Sequence, residues 1–423
     1  MHSDLNISTL LGNYMKMFEV STVSNAKSKI LGSFSSFRLD SELVEIYNAA
    51  GRVLSENVLA KNNVPHFRRS TVDGYAVLSK DTYGASESLP AFLDIVGEVH
   101  MGKRAKISIT ENQAVYIPTG GMLPEGADAV LMVEYTETID NKSLAVLNSV
   151  TVKENVVNIG DDISIDETVL RKGQILRAQD VGVLASIGLD RVKVHKKPSI
   201  AIISTGDEIV GTNEEVKLGQ IRDINTHTLT VMAEQLGCLV TKKTVVRDEF
   251  ELLQNELKDS LKNSDIVIIS GGSSVGTKDI TIDVIKSVDK SEVFIHGLAI
   301  KPGKPTIIAK VNNSLVLGLP GQPVSAMVVF KVMVDFFVKH VQSIENEIEY
   351  GIEAELSTNL HSAQGKETYQ MVTVEKIEGK YIATPIYGKS GMITLLSRAK
   401  GYIIIDMDKE GVLKGEKVIV YEF

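Results

Sequence analysis

Glycines, lysines and carboxylates gather in this sequence where apolar runs end, in patterns that suit the handling of anions. Residues 268–278 read IISGGSSVGTK, with Asp279 next. The apolar run Ile266-Val267-Ile268-Ile269 breaks into Ser270-Gly271-Gly272-Ser273-Ser274-Val275-Gly276, and helix-like periodicity resumes from Asp279. This order predicts a strand, an anion-accommodating loop and a helix. Gly271, Gly272 and Gly276 let backbone N–H groups turn toward an anion with no Cβ in the way, and the helix start adds a partial positive charge. Asp279 stands where a helix cap or a metal ligand would stand. The loop lacks the Lys-Ser/Thr ending of a P-loop and the spacing of a GxGxxG fingerprint, so neither an ordinary NTPase nor a dinucleotide site is supported.

Neighbouring turns carry matching groups. The segment Thr205-Gly206-Asp207-Glu208 follows a second apolar run, and Gly219-Gln220-Ile221-Arg222-Asp223-Ile224-Asn225 can join the same crevice. Glu208, Asp223 and Asp279 would then face a glycine-rich cradle, and carboxylates beside a phosphate imply Mg²⁺ as the bridge between groups that otherwise repel. Lys301 and Lys304 stand on the loop Ile300-Lys301-Pro302-Gly303-Lys304-Pro305, whose Pro and Gly hold two ammonium groups at low entropic cost for an oxyanion. Pro320 and Gly321, in Gly318-Leu319-Pro320-Gly321-Gln322-Pro323, lead into an apolar helix. Earlier in the chain, Arg68 and Arg69 beside Ser70 and Asp73 make either an oxyanion grip or a solvated charged turn. Thr119, in Pro118-Thr119-Gly120-Gly121, offers a hydroxyl to an anion or caps its turn. Asp161-Asp162 after Gly160 suits a hard cation or a solvated turn.

The elements that must position these groups follow from periodicity. From Pro198 the chain alternates strand and helix: residues 199–204, helix 226–236 stopped by Gly237, strand 239–246, a helix capped by Asp248 with Leu252, Leu253, Leu257 and Leu261 on one face, and strand 266–269. This β-α-β-α-β order predicts a mostly parallel sheet with helices on both sides, whose ligands bind at the C-terminal strand ends. Before it, residues 18–60 show two helical stripes: Val23, Ala26, Ile30 and Leu31, then Leu43, Ile46, Tyr47 and Ala50 closed by Gly51. Residues 78–153 alternate short β-type runs (91–96, 114–117, 129–133) with turns, and the tail from about 346 predicts a small β-barrel or sandwich through runs 369–374, 402–405 and 417–421.

A chain of 423 residues predicts three or four domains, with a core of Val, Ile and Leu and no Trp. A net charge of −9 argues against nucleic acid and acidic membranes as partners, so an anionic ligand must meet local Lys or Arg. The single cysteine, Cys238, excludes an intrachain disulfide framework and a thiolate cage, and its apolar setting predicts buried filler. Neither a run long enough to span a membrane nor a secretory signal pattern is present, and a cytoplasmic protein is expected. The eight histidines show no metal-ligand spacing, and no HExxH, GxSxG or kinase signature occurs.

Taken together, Ser70-Thr71-Val72-Asp73-Gly74-Tyr75-Ala76 with the arginines before it, Pro118-Thr119-Gly120, Pro124-Glu125-Gly126-Ala127-Asp128-Ala129-Val130, Ser204-Thr205-Gly206-Asp207-Glu208, Ser270-Gly271-Gly272-Ser273-Ser274-Val275-Gly276 and Lys301-Pro302-Gly303-Lys304-Pro305 closely resemble the MoeA family. Those are the molybdopterin molybdenumtransferases, related to the C-terminal part of gephyrin. The motifs run in family order from about residue 18 to the end.

The resemblance implies a multidomain α/β plus β fold. A MogA-like three-layer α/β domain (195–345) with a mostly parallel sheet is flanked by β-rich domains, a split N-terminal one (18–62 with 154–194) and an inserted one (63–153), and a C-terminal β-barrel (346–423) ends the chain. It further implies a homodimer that takes adenylylated molybdopterin and molybdate, releases AMP with Mg²⁺ and leaves molybdenum on the dithiolene. Transient contact with a molybdopterin adenylyltransferase and with cofactor-accepting enzymes is also implied. The family's acidic positions carry over to Asp162, Glu208, Asp223 and Asp279, its threonine to Thr119, and its C-terminal serine to Ser390 in Lys389-Ser390-Gly391-Met392. Two departures stand out. Arg68 replaces a frequent Asp, and Lys366 with Met371 stands where the family commonly shows arginines. Two rival expectations keep the fold without this reaction: a scaffold that holds pterin or cofactor without turnover, and a pterin adenylyltransferase.

Overall fold

A computed structural model describes residues 20–140, 142–272, 280–344 and 350–423. The chain divides into two compact units, one holding residues up to Glu42, Gly51–Ser55 and His195–Phe423, the other Leu43–Ala50 and Glu56–Val194.

In the first unit, helix α1 (Val23–Ser33) precedes the strand–helix series β1 (Ser199–Thr205), α2 (Asn225–Gln235), β2 (Leu239–Val246), α3 (Phe250–Ser260), β3 (Ile266–Ser270) and α4 (Ile280–Lys286). β4 (Ser291–His296), the short β5 (Ile300–Lys301), β6 (Ile307–Val311) and β7 (Ser314–Leu319) lead to helix α5, residues 323–341, with a π-helical turn at Phe330–Val334. The central sheet has the order β2-β1-β3-β7-β6-β4. Its first four strands are parallel and the last two pairings antiparallel, because β6 and β7 form a hairpin at Asn312-Asn313 with Asn312 at φ 55°.

Strand alternation sends side chains to two covered faces. Ile200, Ile202, Ile266 and Ile268 pack with α2 and α5, while Ala201, Ile203, Val267 and Ile269 pack with α3 and α4. The result is three layers. α1 packs on this core, since Val23, Ala26, Ile30 and Phe34 are buried in the same cluster as Phe330 and Phe337. The second stripe is a strand, Ser41–Glu45, and a single 3₁₀ turn, Ile46–Asn48, with Leu43 and Tyr47 exposed; an apolar repeat so short fits either element. Asp248 does not cap α3 with its side chain either, and Glu249 occupies that position.

The tail forms a barrel from β8 (Gly351–Leu356), β9 (Glu367–Ile377), β10 (Lys380–Pro385), β11 (Gly401–Ile405) and β12 (Lys417–Tyr421). The order β9-β10-β8-β12-β11 closes through a β9–β11 pairing, which removes both sheet edges. β5 pairs in parallel with the start of β9, Lys301 opposite Thr368, and Tyr369, Met371 and Tyr402 join the core of the α/β layers.

In the second unit a mixed six-stranded sheet runs Ala129–Met132, Gly74–Val77, Gln113–Ile117, Ala91–Glu98, Ser143–Val146, Thr136–Thr138. Val156–Val157 pairs with Arg69–Ser70 and Thr168–Leu170 with Val58–Leu59, so segments on either side of the sheet-forming stretch meet. Among the described residues no helix is long and apolar enough to cross a membrane.

Candidate active site

The C-terminal ends of β1, β3 and β7 open into a cleft of about 1510 Å³ within the first unit, whose other wall is the barrel. Parallel pairing sets Ser204 beside Ser270 and Ser270 beside Leu319, so three turns leave the sheet at one level. The first is Thr205 to Glu208, the second Gly271-Gly272, the third Pro320-Gly321, and all line the cleft except the buried Gly206 within the first turn. Gly271 sits at φ 114°, and a Cβ there would lie 2.1 Å from the carbonyl oxygen of Thr205. No larger residue fits without moving β1 from β3.

A polar network fixes the floor. Asp223, 7% exposed, accepts the Thr226 N–H at 3.1 Å and the Ser204 hydroxyl at 3.3 Å, which caps the first turn of α2. Asp223 is thus tied to the scaffold through Oδ1. The Thr205 hydroxyl donates to Asp248 at 2.5 Å, and the Asp248 N–H donates to Asp207 at 3.3 Å. Asp207, Glu208, Asp223 and Asp248 line the cleft, yet no three acidic, histidine or cysteine side chains among the described residues stand close enough to hold a metal. Asp279, Ser273, Ser274 and Gly276 lie outside the described residues.

Opposite these acids are lysines. Lys301 is exposed at the end of β5, and pairing to β9 holds its backbone. The Lys304 carbonyl accepts from the Leu298 and Thr306 N–H groups, each at 2.9 Å, while the Thr306 hydroxyl donates to Gly303 at 2.6 Å. Among the described residues neither lysine pairs with a carboxylate, and both line the cleft. Lys366 and Lys389 reach the cleft from the barrel.

Ser390 does the same from a loop docked on α5. Its hydroxyl donates to the Gln322 side-chain oxygen, and its carbonyl accepts the Val324 N–H at 3.1 Å. Met371 is 4% exposed and packs with Tyr369, Leu395 and Tyr402, so this position supplies core, while Lys366 lines the cleft as a cation. Asn225, Thr205, Asp248, Gln322 and Tyr387 also line this cleft, although the sequence singled out none of them as a binding residue. Their types are ordinary, and the hydrogen-bond partners of the first four lie tens of residues away.

The remaining expected residues lie in the second unit. Asp73 accepts from the Thr119 N–H at 2.7 Å and its hydroxyl at 3.1 Å, so these two meet as a pair. Gly120 N–H donates to Ser70 O at 2.8 Å and Ser70 N–H to Gly121 O at 3.0 Å, which places Arg69 and Ser70 on the same turn cluster. The Ser70 hydroxyl is 2.6 Å from the Val72 carbonyl and serves its own turn, whereas Arg69 is exposed. Arg68 donates to the Ala127 carbonyl at 3.2 Å. Asp162 is exposed, with its N–H donating to Val64 O at 3.1 Å.

Family models match most of the chain: "MoeA N-terminal region (domain I and II)" over residues 21–188, "Probable molybdopterin binding domain" over 201–340, and "MoeA C-terminal region (domain IV)" over 353–423. A molybdopterin biosynthesis protein of Methanocaldococcus jannaschii is 34% identical over 388 residues, covering 89% of this chain and 91% of the relative. A molybdopterin molybdenumtransferase of Haemophilus influenzae is 30% identical over 405 residues, covering 95% and 98%. Two crystal structures of the molybdopterin biosynthesis MoeA protein of Pyrococcus horikoshii superpose with TM-scores of 0.79 and 0.83 at 34% and 30% identity, each covering 96% of this chain and 99% and 100% of the other. With its motifs, its cleft and its full-length relatives in agreement, this chain belongs to the MoeA family.

Proposed function

We propose that this protein is a molybdopterin molybdenumtransferase that acts in molybdenum cofactor synthesis, accepting adenylylated molybdopterin and molybdate and releasing AMP. The observation that carries the reading is the cleft that three glycine-bearing turns share with Lys301 and Lys304. Backbone N–H groups at the strand ends suit a phosphate, and ammonium groups on a braced loop suit oxyanions without paying for loop ordering. In this reading Lys301 and Lys304 hold the oxygens of the adenylate phosphate and of molybdate, and the barrel groups Lys366 and Ser390 orient the substrate. Water cleaves the phosphoanhydride, so AMP and the pterin phosphate separate. The two dithiol sulfurs bind molybdenum while their protons and one oxo group leave as one water.

Mg²⁺ fits the donor chemistry, because it takes one or two carboxylates with substrate phosphates and keeps several waters. Glu208 and Asp223, with Asp279, would hold it. When bound it neutralises phosphate charge as the anhydride breaks. The set formed by Arg69, Asp73, Thr119 and Asp162 would serve the same reaction from the partner copy of a homodimer in the cytoplasm.

The test is AMP release from adenylylated molybdopterin with Mg²⁺ and molybdate, each then withheld. Lys304→Ala should lower the rate about a hundredfold, the scale of one lost preorganised charge contact. Bound adenylylated pterin with no AMP release would favour a scaffold, and ATP consumption with free molybdopterin an adenylyltransferase.

A further inference from the structure

The side chain of Asn225 joins three segments that are far apart in sequence, and nothing in the chemistry above uses it. Asn225 opens α2 and is 7% exposed. Its amide nitrogen donates to the Ser270 hydroxyl at 2.8 Å and to the Gly321 carbonyl at 2.9 Å, which employs both amide protons. The Ser270 hydroxyl extends the chain by donating to the Pro320 carbonyl at 3.3 Å. One amide therefore spans the ends of β3 and β7 and the two turns that follow them. Across that gap the chain is closely packed, with a Cβ on Gly321 lying 3.5 Å from the Gly271 Cα.

The other end of the amide is the second observation. The Asn225 oxygen is buried and accepts no hydrogen bond from any of the described residues. A buried acceptor without a donor costs stability, so stability alone would favour a residue with no such atom. What the site gains from asparagine is the paired donor.

We propose that Asn225 is a positioning residue that sets the gap between the Gly271-Gly272 and Pro320-Gly321 turns, and so preorganises the cradle for the phosphate side of the adenylylated pterin. The identity of that ligand rests on the transferase reading. Asn225 acts through Ser270 and Gly321 and not on the reacting atoms, so its loss weakens binding and leaves the bound complex competent.

The experiment compares wild type, Asn225→Ala, the isosteric but donor-free Asn225→Asp, Ser270→Ala, and the Asn225→Ala/Ser270→Ala double variant. Adenylylated molybdopterin is titrated without molybdate to give Kd, and AMP release then gives KM and kcat. Each single variant should raise Kd and KM about tenfold with kcat within about twofold, and the double variant should be little worse than either single. The urea midpoint of Asn225→Ala should fall only modestly, because the Gly321 carbonyl and Ser270 hydroxyl lose their donor while the unpaired oxygen leaves with the amide. Should that variant fail to fold, Ser270→Ala, which removes one oxygen, carries the decision. Kd and KM within about twofold of wild type, additive effects in the double variant, or a fall confined to kcat would each overturn the proposal. A wild type that binds the adenylylated pterin but releases no AMP would defeat the transferase reading, and the Kd series would still decide the role of Asn225. No binding by wild type would defeat both.

Discussion

Cys238 shows how far one residue can be taken from sequence. Its apolar neighbours predict a buried thiol, and it is 5% exposed in the main core. Burial first, then the carboxylates of Asp265 and Asp335, push the thiol from 9.0 up to about 12. The folded protein should therefore ignore a disulfide reagent at pH 8 and take up one equivalent once unfolded, and rapid native labelling would contradict this burial. The raised value also gives a direction for stability: this contribution is intact below the unfolded value of 9.0 and is lost as pH climbs toward 12. The glycines were equally readable, because Gly271 answers to a local demand, a positive φ at a strand end. Asn225 was not, since its partners Ser270 and Gly321 are set by the stacking of strands and leave no local trace. Asp223 lies between these cases: its acid in the right loop was visible, but not its hydrogen bonds to Ser204 and Thr226.

At the scale of elements, apolar periodicity named the faces that are buried but not what covers them. The α1 stripe was plain, yet its partners are Phe330 and Phe337 some 300 residues onward. Phe34, 1% exposed, meets Phe337 edge-to-face with ring centroids 4.9 Å apart, and the Lys310 ammonium sits 5.1 Å from its ring centre. Phe34→Ala should cost about 3–5 kcal/mol, as large-to-small changes in packed aromatic cores do, read as a lower urea midpoint. A change under about 1 kcal/mol would mean that α1 is dispensable to this core. Strands β1 and β3 match their expected bounds nearly to the residue because their apolar runs are buried, and β2 matches although its burial alternates, whereas β4, β6 and β7 had no expected counterpart. In the tail, alternation alone marks an inner face in a barrel and in a sandwich alike, while the family resemblance implies a barrel; the β9–β11 pairing closes it as one.

For the whole molecule, the expected site residues divide between the two units. Lys301, Lys304, Glu208, Asp223, Lys366 and Ser390 stand in one, while Arg69, Asp73, Thr119 and Asp162 stand in the other. If a homodimer builds each site from unlike units of its two copies, two inactive variants can complement each other. Mixing Thr119→Ala with Lys301→Ala after joint refolding should restore AMP release to about a quarter of wild type, since half of the dimers are mixed and each carries one intact site. A mixture as silent as its components would place both sets in the service of a single copy.

The pairing of β5 with β9 bears on how such proteins can be recombined. The lysine loop hangs on a strand that belongs by sequence to the α/β layers and by hydrogen bonding to the barrel. A hybrid that exchanges tails at residue 350 would leave the donor barrel facing a foreign β5, and the grip would inherit every mismatch in register. Exchanging residues 300–305 together with the tail keeps the seam intact, which makes that short loop, and not the boundary between domains, the natural crossover point for chimeras.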